Sequence, residues 1–552
     1  MRRLLAFLLC ACVLAGCSGR LSREGAESEV DALYRTVSPM TGDPEMDLDT
    51  FGEEDAAYLD DIDEAFPMTY EGGGELDIEI ASVSEFLTKP SDDSTGGSSD
   101  DFLLVMAEKF NKEGIEIGGK RVSVSLRRMS AGEVVTYMTE GGYRPDAYIP
   151  SNEAWGMMLE ASGVHVHKVK DRIAGGTAGI LISKNKYDEF ISAYGEASLT
   201  NILDAAIKGD LVFAYTNPYT SSTGLNILSS MLYAFDPEDP LSDKAVGKLV
   251  EYQKDAPSAA YTTAVLRSSA KKGIIDAMVM EEQAYINTPE LKNYVYFPAG
   301  IRHDHPVYTF DYVDQDRAQA VKAFADYCCS ESAQRLASEK GFNLHDEYKS
   351  EDTGFTGADY LAAQGVWKTN KNGGRPVVAV FVADTSYSMN GEPISSLKNS
   401  LVAASRYISS DNYVGLVSYN STVTIELPID RFDPRQRAYF TGAVKGMSSG
   451  GKTATYDAAA VGLKMLLDKK KEVPDAKLML FILSDGQKNT GLSYDRIKNI
   501  VTALQVPVYT IGYNMDDAGE MTELAGLNEA AYIDAKTTDV ANKLRLLFQV
   551  NI

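Results

Sequence analysis

The chain has 552 residues, with 79 acidic against 53 basic side chains, a formal net charge of −26 and five cysteines. That balance excludes nucleic acid as a partner and direct adhesion of the bare protein surface to anionic lipid. The length allows about three domain-sized units, and no CxxC or Cys/His spacing points to zinc.

The N-terminus opens Met1-Arg2-Arg3, continues nearly all apolar from Leu4 to Leu14, and closes on Leu14-Ala15-Gly16-Cys17. A charged start, a short apolar core and a small-residue stop predict a signal peptide over 1–17; the apolar stretch is too short to span a bilayer. Its last four residues resemble the bacterial lipobox. That resemblance implies a lipidated Cys17 at the extracytoplasmic face of the cell membrane, held by acyl chains at about 0.8 kcal/mol per buried methylene. Cys10 and Cys12 leave with the signal, so Cys328 and Cys329 remain, adjacent and expected as small buried residues rather than a disulfide. Residues 18–74 predict an acidic tether, extended and solvated around the run DPEMDLDTFGEEDAAYLDDIDEA at 43–65.

Residues 75–345 alternate strands and helices. Leu76 to Ser82 reads as a strand, Asp101 to Glu113 as a helix, Arg121 to Leu126 as a second strand, and Asp146 to Asn152 as the end of a third. This alternation implies a mainly parallel sheet. Further on, Thr216-Asn217-Pro218-Tyr219-Thr220-Ser221-Ser222-Thr223-Gly224 precedes an apolar helix from Leu225 to Ala234. A hydroxyl-rich loop at a helix start suits an anion on free N–H groups or an N-cap with no ligand, and both readings stand at this point.

The stretch resembles bacterial extracellular solute-binding proteins of the two-lobed periplasmic type. The resemblance rests on MAEKFN at 106–111, PDAYIPS at 145–151, Thr216-Asn217-Pro218 with Thr220 to Gly224, and Glu281-Glu282-Gln283. It implies a bilobal unit with lobe one at about 75–175 and 285–345, lobe two at about 176–284, a small-molecule or anion ligand in the cleft, and hinge closure on binding. Candidate cleft residues are Ser82, Ser84, Ser151, Asn152, Thr220, Ser221, Ser222, Thr223 and Glu281. Asp304 and His305 read as a turn before Pro306. Residues 346–374 read as a linker, with Trp367 docking on one domain.

Val377 to Ala383 reads as a buried strand, and it ends in Asp384-Thr385-Ser386-Tyr387-Ser388. Residues two apart in extended backbone face the same way, so one carboxylate and two hydroxyls can converge. A second apolar strand, Lys477 to Leu483, ends in Ser484-Asp485-Gly486, and the loop Gly450-Gly451-Lys452-Thr453 opens a helix. Hard divalent cations take such oxygen ligands, and open parallel sheets bind ligands outside the carboxyl ends of their strands. The plainer alternative is a helix cap followed by a turn.

These three segments resemble the metal-ion-dependent adhesion site of von Willebrand factor type A domains, over residues 375–552. The resemblance implies a doubly wound, Rossmann-like α/β fold. Ser386, Ser388 and Thr453 would meet Mg²⁺ (or Mn²⁺ or Ca²⁺) through hydroxyls, and Asp384 and Asp485 directly or through water. One coordination position would await an acidic side chain of an extracytoplasmic protein partner. Lys452 is an extra residue between the glycines and the threonine, Tyr387 stands where many relatives carry Gly, and Thr455 is the alternative to Thr453 if the register shifts.

No Ser/His/Asp set, nucleophile elbow, Walker loop or paired-acid motif stands out. The expectation is a membrane-anchored binding protein rather than an enzyme. The alternative is a solute-binding lipoprotein that delivers a small ligand to an ABC transporter.

Overall fold

The computed structural model describes residues 21–51, 59–88, 100–257, 259–260, 263–351, 353–486, 488–513, 515, 518–528, 530–535 and 540–552. Cys17 and its signal segment lie outside the described residues. The chain divides into two compact units, one built mainly on residues 377–537 and one mainly on residues 53–376. Among the described residues, no helix is long and apolar enough to cross a membrane.

The first unit is a seven-stranded sheet in the order Met40–Thr41, Val423–Arg431, Tyr413–Tyr419, Val377–Asp384, Lys477–Ser484, Val508–Tyr513, Tyr532–Ala535. Pairing is parallel throughout except between Tyr413–Tyr419 and Val423–Arg431. Val377–Asp384 lies at the centre and all eight of its residues are buried, as a strand covered on both faces requires. On one face Val378, Val380 and Val382 pack under the helix Thr455–Glu472. On the other, Phe381 meets Phe440 and Phe481, and Phe481 stacks on Tyr509 with centroids 5.1 Å apart. The chain leaves Val377–Asp384 toward Tyr413–Tyr419 on one side, while Lys477–Ser484 pairs on the other. The point between these two directions, at the carboxyl ends, is where such sheets open a crevice.

The expected tether is overturned over its first half. Helix Arg23–Val37, capped by Ser22, buries Ala26, Val30 and Leu33 in the core of this unit. Glu29 pairs with Arg496 at 2.7 Å and Asp31 with Lys464 at 3.0 Å. Met40 and Thr41 then extend the sheet beside Thr424 and Ile425, and Asp47 pairs with Lys445. The apolar stripe at 26, 30 and 33 has helical spacing, but it is sparse, and the acidic count around it concealed it.

The second unit has two sheets, as two lobes demand. One contains Met68–Tyr70, Lys120–Arg128, Leu76–Ser82, Ala147–Ile149, Val307–Phe310 and Val166–Lys170 in that order; the other contains Tyr294–Arg302, Thr177–Ser183, Ala277–Glu281 and Phe213–Ala214. The chain therefore crosses between lobes after Lys170 and again after Arg302. The second crossing falls later than the expected 284. Tyr294–Arg302 is a ladder partner of Thr177–Ser183, with Tyr294 opposite Ser183, and this pairing holds it in lobe two. Cys328 is buried and Cys329 half-buried, and both are free thiols.

Two segments expected elsewhere also belong to this unit. The supposed linker contains helix Gly357–Asn370, opened by a capping box between Thr356 and Asp359. Trp367 is buried and donates to the Tyr215 hydroxyl at 2.6 Å, and Gln364 donates to the Pro218 carbonyl at 2.9 Å. At the chain's end, helix Val540–Asn551 brings Arg545 to Glu133 at 3.1 Å, both buried. The Lys371 ammonium donates to the carbonyls of Gln549 and Ile552. Lower in the acidic run, Asp63 pairs with the buried Arg127 at 2.8 Å, and Glu79 of strand Leu76–Ser82 meets the same guanidinium at 2.7 Å. Asp63 is thereby held by a counter-charge.

Candidate functional site

At the end of the central strand Asp384 is fully buried. One of its oxygens accepts from the Ser386 backbone N–H at 2.8 Å; the other accepts from the Ser484 hydroxyl at 2.5 Å and the Tyr419 hydroxyl at 3.2 Å. The sheet register brings these groups together, because Asp384 lies opposite Tyr419 on one side and Ala383 lies opposite Leu483 on the other. Burial, reinforced by the charge of Asp485, pushes the Asp384 carboxyl up to about 6 against the opposing pull of these hydrogen bonds. Burial likewise raises Asp485.

Beyond Asp384, the Ser386 and Ser388 hydroxyls lie 3.0 Å apart, and Ser388 donates to Asp485 at 2.7 Å. The glycine-rich loop closes against the same turn: Gly450 N–H donates to the Thr385 carbonyl and Tyr387 N–H to that of Gly451. A Cβ at Gly451, whose φ is +81°, would meet the Ser421 hydroxyl at 2.8 Å, so this position suits glycine on both counts. Thr453 is buried on this loop. Its hydroxyl and N–H are both held by the Asn489 side chain, at 3.4 and 2.9 Å. Thr455, the alternative, is the first residue of the following helix.

Four predicted ligands, Asp384, Ser386, Ser388 and Asp485, thus form one connected set, and Thr453 sits on the loop hydrogen-bonded to it. Sequence reasoning did not include Ser484, Tyr419 and Asn489, which orient those ligands. Ser484 immediately precedes Asp485 and was the one readable signal. Tyr387 projects from the same turn and is 73% exposed. The donor set of hydroxyls and two carboxylates is the chemistry a hard dication takes, so the residues present fit Mg²⁺ or Mn²⁺.

The second unit contains a cavity of about 160 Å³ between its lobes, lined by Val83, Ser84, Glu85, Ser130, Ala131, Thr216, Thr220, Ser221, Ser222, Thr223, Thr263 and Glu281. Six predicted cleft residues line it: Ser84, Thr220, Ser221, Ser222, Thr223 and Glu281. Ser82, Ser151 and Asn152 do not. Ser82 is spent on the Ile149 carbonyl at 2.8 Å, Ser151 donates to Glu85, and the Asn152 amide lies 3.1 Å from His303 Nε2. Each supports the wall from behind.

Glu85 and His303 were missed. Glu85 follows Ser84 on the short helix Ser84–Leu87, so its neighbour was the signal. Burial and the facing Glu281 push Glu85 up to about 7. His303 is fully buried, with Nδ1 2.5 Å from Glu281. The expected turn at His305 holds a buried ring stacked on Phe86, and burial lowers its pKa to about 3.

Two family models match this chain. The von Willebrand factor type A domain matches residues 379–545, and the bacterial extracellular solute-binding protein matches residues 95–343. The chain therefore carries a solute-binding domain followed by a von Willebrand factor type A domain. It is similar to inter-alpha-trypsin inhibitor heavy chain H3 of Mesocricetus auratus, 29% identical over 151 residues, which is 25% of this chain and 17% of that one. The same protein of Bos taurus is 27% identical over 155 residues, with the same coverage. The chain thus spans less than a fifth of these curated relatives. Among solved structures, a von Willebrand factor type A protein from Catenulispora acidiphila is 19% identical, covering 32% of this chain and 42% of that one, with a TM-score of 0.29. Iron-bound HitA from Pseudomonas aeruginosa is 13% identical, covering 54% and 99%, with a TM-score of 0.38.

Proposed function

We propose that this chain is an extracytoplasmic binding protein, lipid-anchored through Cys17. Its Asp384–Asp485 site would hold a divalent cation and, through it, an acidic side chain of a partner protein. The observation that carries the reading is the continuous set Asp384, Ser386, Ser388 and Asp485, made of hard oxygen donors with hydrogen bonds from one to the next. Ser386, Ser388 and Thr453 would hold the ion through hydroxyls, with Asp384 and Asp485 as its anionic ligands. The bound ion supplies a Lewis-acidic position that a carboxylate can complete. Ser484, Tyr419 and Asn489 keep those ligands oriented, as outer partners of metal ligands do. Ser388 and Tyr387 are exposed, so a partner can approach from that side.

The test is Mn²⁺ and Mg²⁺ titration of the full chain by calorimetry, paired with capture of partners from membranes with and without EDTA. Asp384→Ala and Ser386→Ala should remove metal binding and the EDTA-sensitive partner together. Unchanged metal affinity in both variants would refute the site. A second reading, delivery of a small solute to a membrane permease, is favoured by the cavity between the two lobes.

A further inference from the structure

The hydroxyl-rich loop proves to be bonded to itself. Thr216 donates to Ser221 at 2.8 Å and lies 3.1 Å from Thr223, and Ser221 and Thr223 are 2.8 Å apart. Ser221 caps helix Ser222–Phe235 by accepting from Gly224 N–H, and Ser222 accepts the Trp155 indole N–H at 2.9 Å. The cap supplied by Ser221 takes up the Gly224 N–H, one of the donors an anion would need. Among the described residues, the lining also contains no lysine, arginine or histidine. An anion would face two carboxylates there with no counter-charge.

Both carboxylates are instead oriented by neutral donors. Glu85 accepts from Ser151 and, at 3.3 Å, from Ser84. Behind Glu281, the Asn152 and Asn226 amide nitrogens lie 3.1 and 3.2 Å from His303 Nε2. Their own oxygens are fixed by the N–H groups of Ala154 and Ile301, so the amides are donors and Nε2 accepts. This assigns the ring proton to Nδ1, from which it is donated to Glu281. A buried negative charge that is oriented but not neutralised awaits a cation. Thr220 adds a second sign of a ligand: its residue is 9% exposed, it lines the cavity, and its hydroxyl has no partner among the described residues.

We propose that this cleft takes a small organic ammonium compound, held between Glu85 of one lobe and Glu281 of the other, with Thr220 as a further acceptor. The proposal rests on reading the cleft as a solute site and is independent of the metal site. The size of the cavity, about 160 Å³, lies below the 300–1,000 Å³ typical of drug-sized ligands, and Val83 and Ala131 offer apolar wall to a carbon skeleton.

The test is calorimetry on the full chain, dialysed against EDTA so that the metal site is silent, with methylammonium, choline and putrescine as probes and sulfate and molybdate as opposing probes. At least one ammonium probe should bind saturably with one site per chain, and neither anion should. Glu281→Gln and Glu85→Gln should each weaken that binding at least tenfold, while Asp384→Ala leaves it unchanged. Should Glu281→Gln fail to fold, Glu85→Gln and the cation-over-anion preference of the unaltered chain decide the matter. Saturable sulfate or molybdate binding, or no binding of any ammonium probe, overturns the proposal. So does Mn²⁺ binding, measured without EDTA, that survives Asp384→Ala and is lost in Glu281→Gln.

Discussion

The two candidate sites hold their carboxylates in different ways. Asp384 and Asp485 end neighbouring strands of one sheet, and seven consecutive pairings from Val377–Lys477 to Ala383–Leu483 fix their separation. Glu85 sits on the short helix that follows strand Leu76–Ser82 of one lobe, Glu281 ends strand Ala277–Glu281 of the other, and they face each other only because the chain crosses twice between lobes. The first pair is a cradle set by the register of one sheet; the second is assembled from two lobes. The units also share a trait: each recruits a segment distant in sequence. The sheet unit takes residues 21–47, and the two-lobed unit takes helices Gly357–Asn370 and Val540–Asn551.

The largest effect should come from breaking one of those recruited contacts. Arg545→Ala leaves Glu133 buried without its ion pair, and loss of one partner of such a pair costs about 3–5 kcal/mol; urea unfolding followed by circular dichroism measures it. Leu33→Ala should cost about 2–5 kcal/mol, the usual range for truncating a buried leucine, in the sheet unit. A change near zero would restore the tether that the structure overturns. At the Asp384–Asp485 site, Asp384→Ala should lower Mn²⁺ affinity by about a hundredfold or more, since even outer partners of metal ligands are worth about 10–100-fold. Ser484→Ala, which removes a hydrogen bond to Asp384 and those to the Gly486 backbone beside Asp485, should lower it about tenfold while cleft binding stays unchanged.

The smallest effect is the pH response of the cleft. Glu85 is held at about 7 in the folded chain against an ordinary 4.5, so the folded protein keeps a proton that the unfolded chain has released. The stability this contributes is fully present below pH 4.5 and is lost as pH rises through 7. The thermal midpoint should therefore fall between pH 5 and 8, and part of that fall should vanish in Glu85→Gln. Asp384, raised to about 6, acts with the same sign, so the difference between the two proteins is what isolates Glu85.

Much of the candidate metal site was legible because its proposed ligands lie in three short segments whose local structure also reads from sequence. An all-apolar run that stops at a carboxylate announces a buried strand and its end. The residues that orient the ligands were less visible: Tyr419 and Asn489 reach Asp384 and Thr453 only through strand pairing and loop closure. In the cleft, hydroxyls clustered before a helix were easy to see, but whether they serve a ligand or each other depends on distances no spacing encodes. Glu85 and His303 carry no motif, and their roles arise from facing Glu281 across 196 and 22 residues of chain respectively.

The sequence by itself determined the two α/β units, the central strands and the convergence of Asp384, Ser386 and Ser388, because periodicity and hydrophobic runs act over a few residues. Tertiary structure alone decided where the acidic N-terminal residues, the supposed linker and the last helix belong, and which glutamate faces which. Those outcomes depend on apolar stripes finding partners and buried charges finding counter-charges hundreds of residues away, and such pairings leave no local signature in the chain.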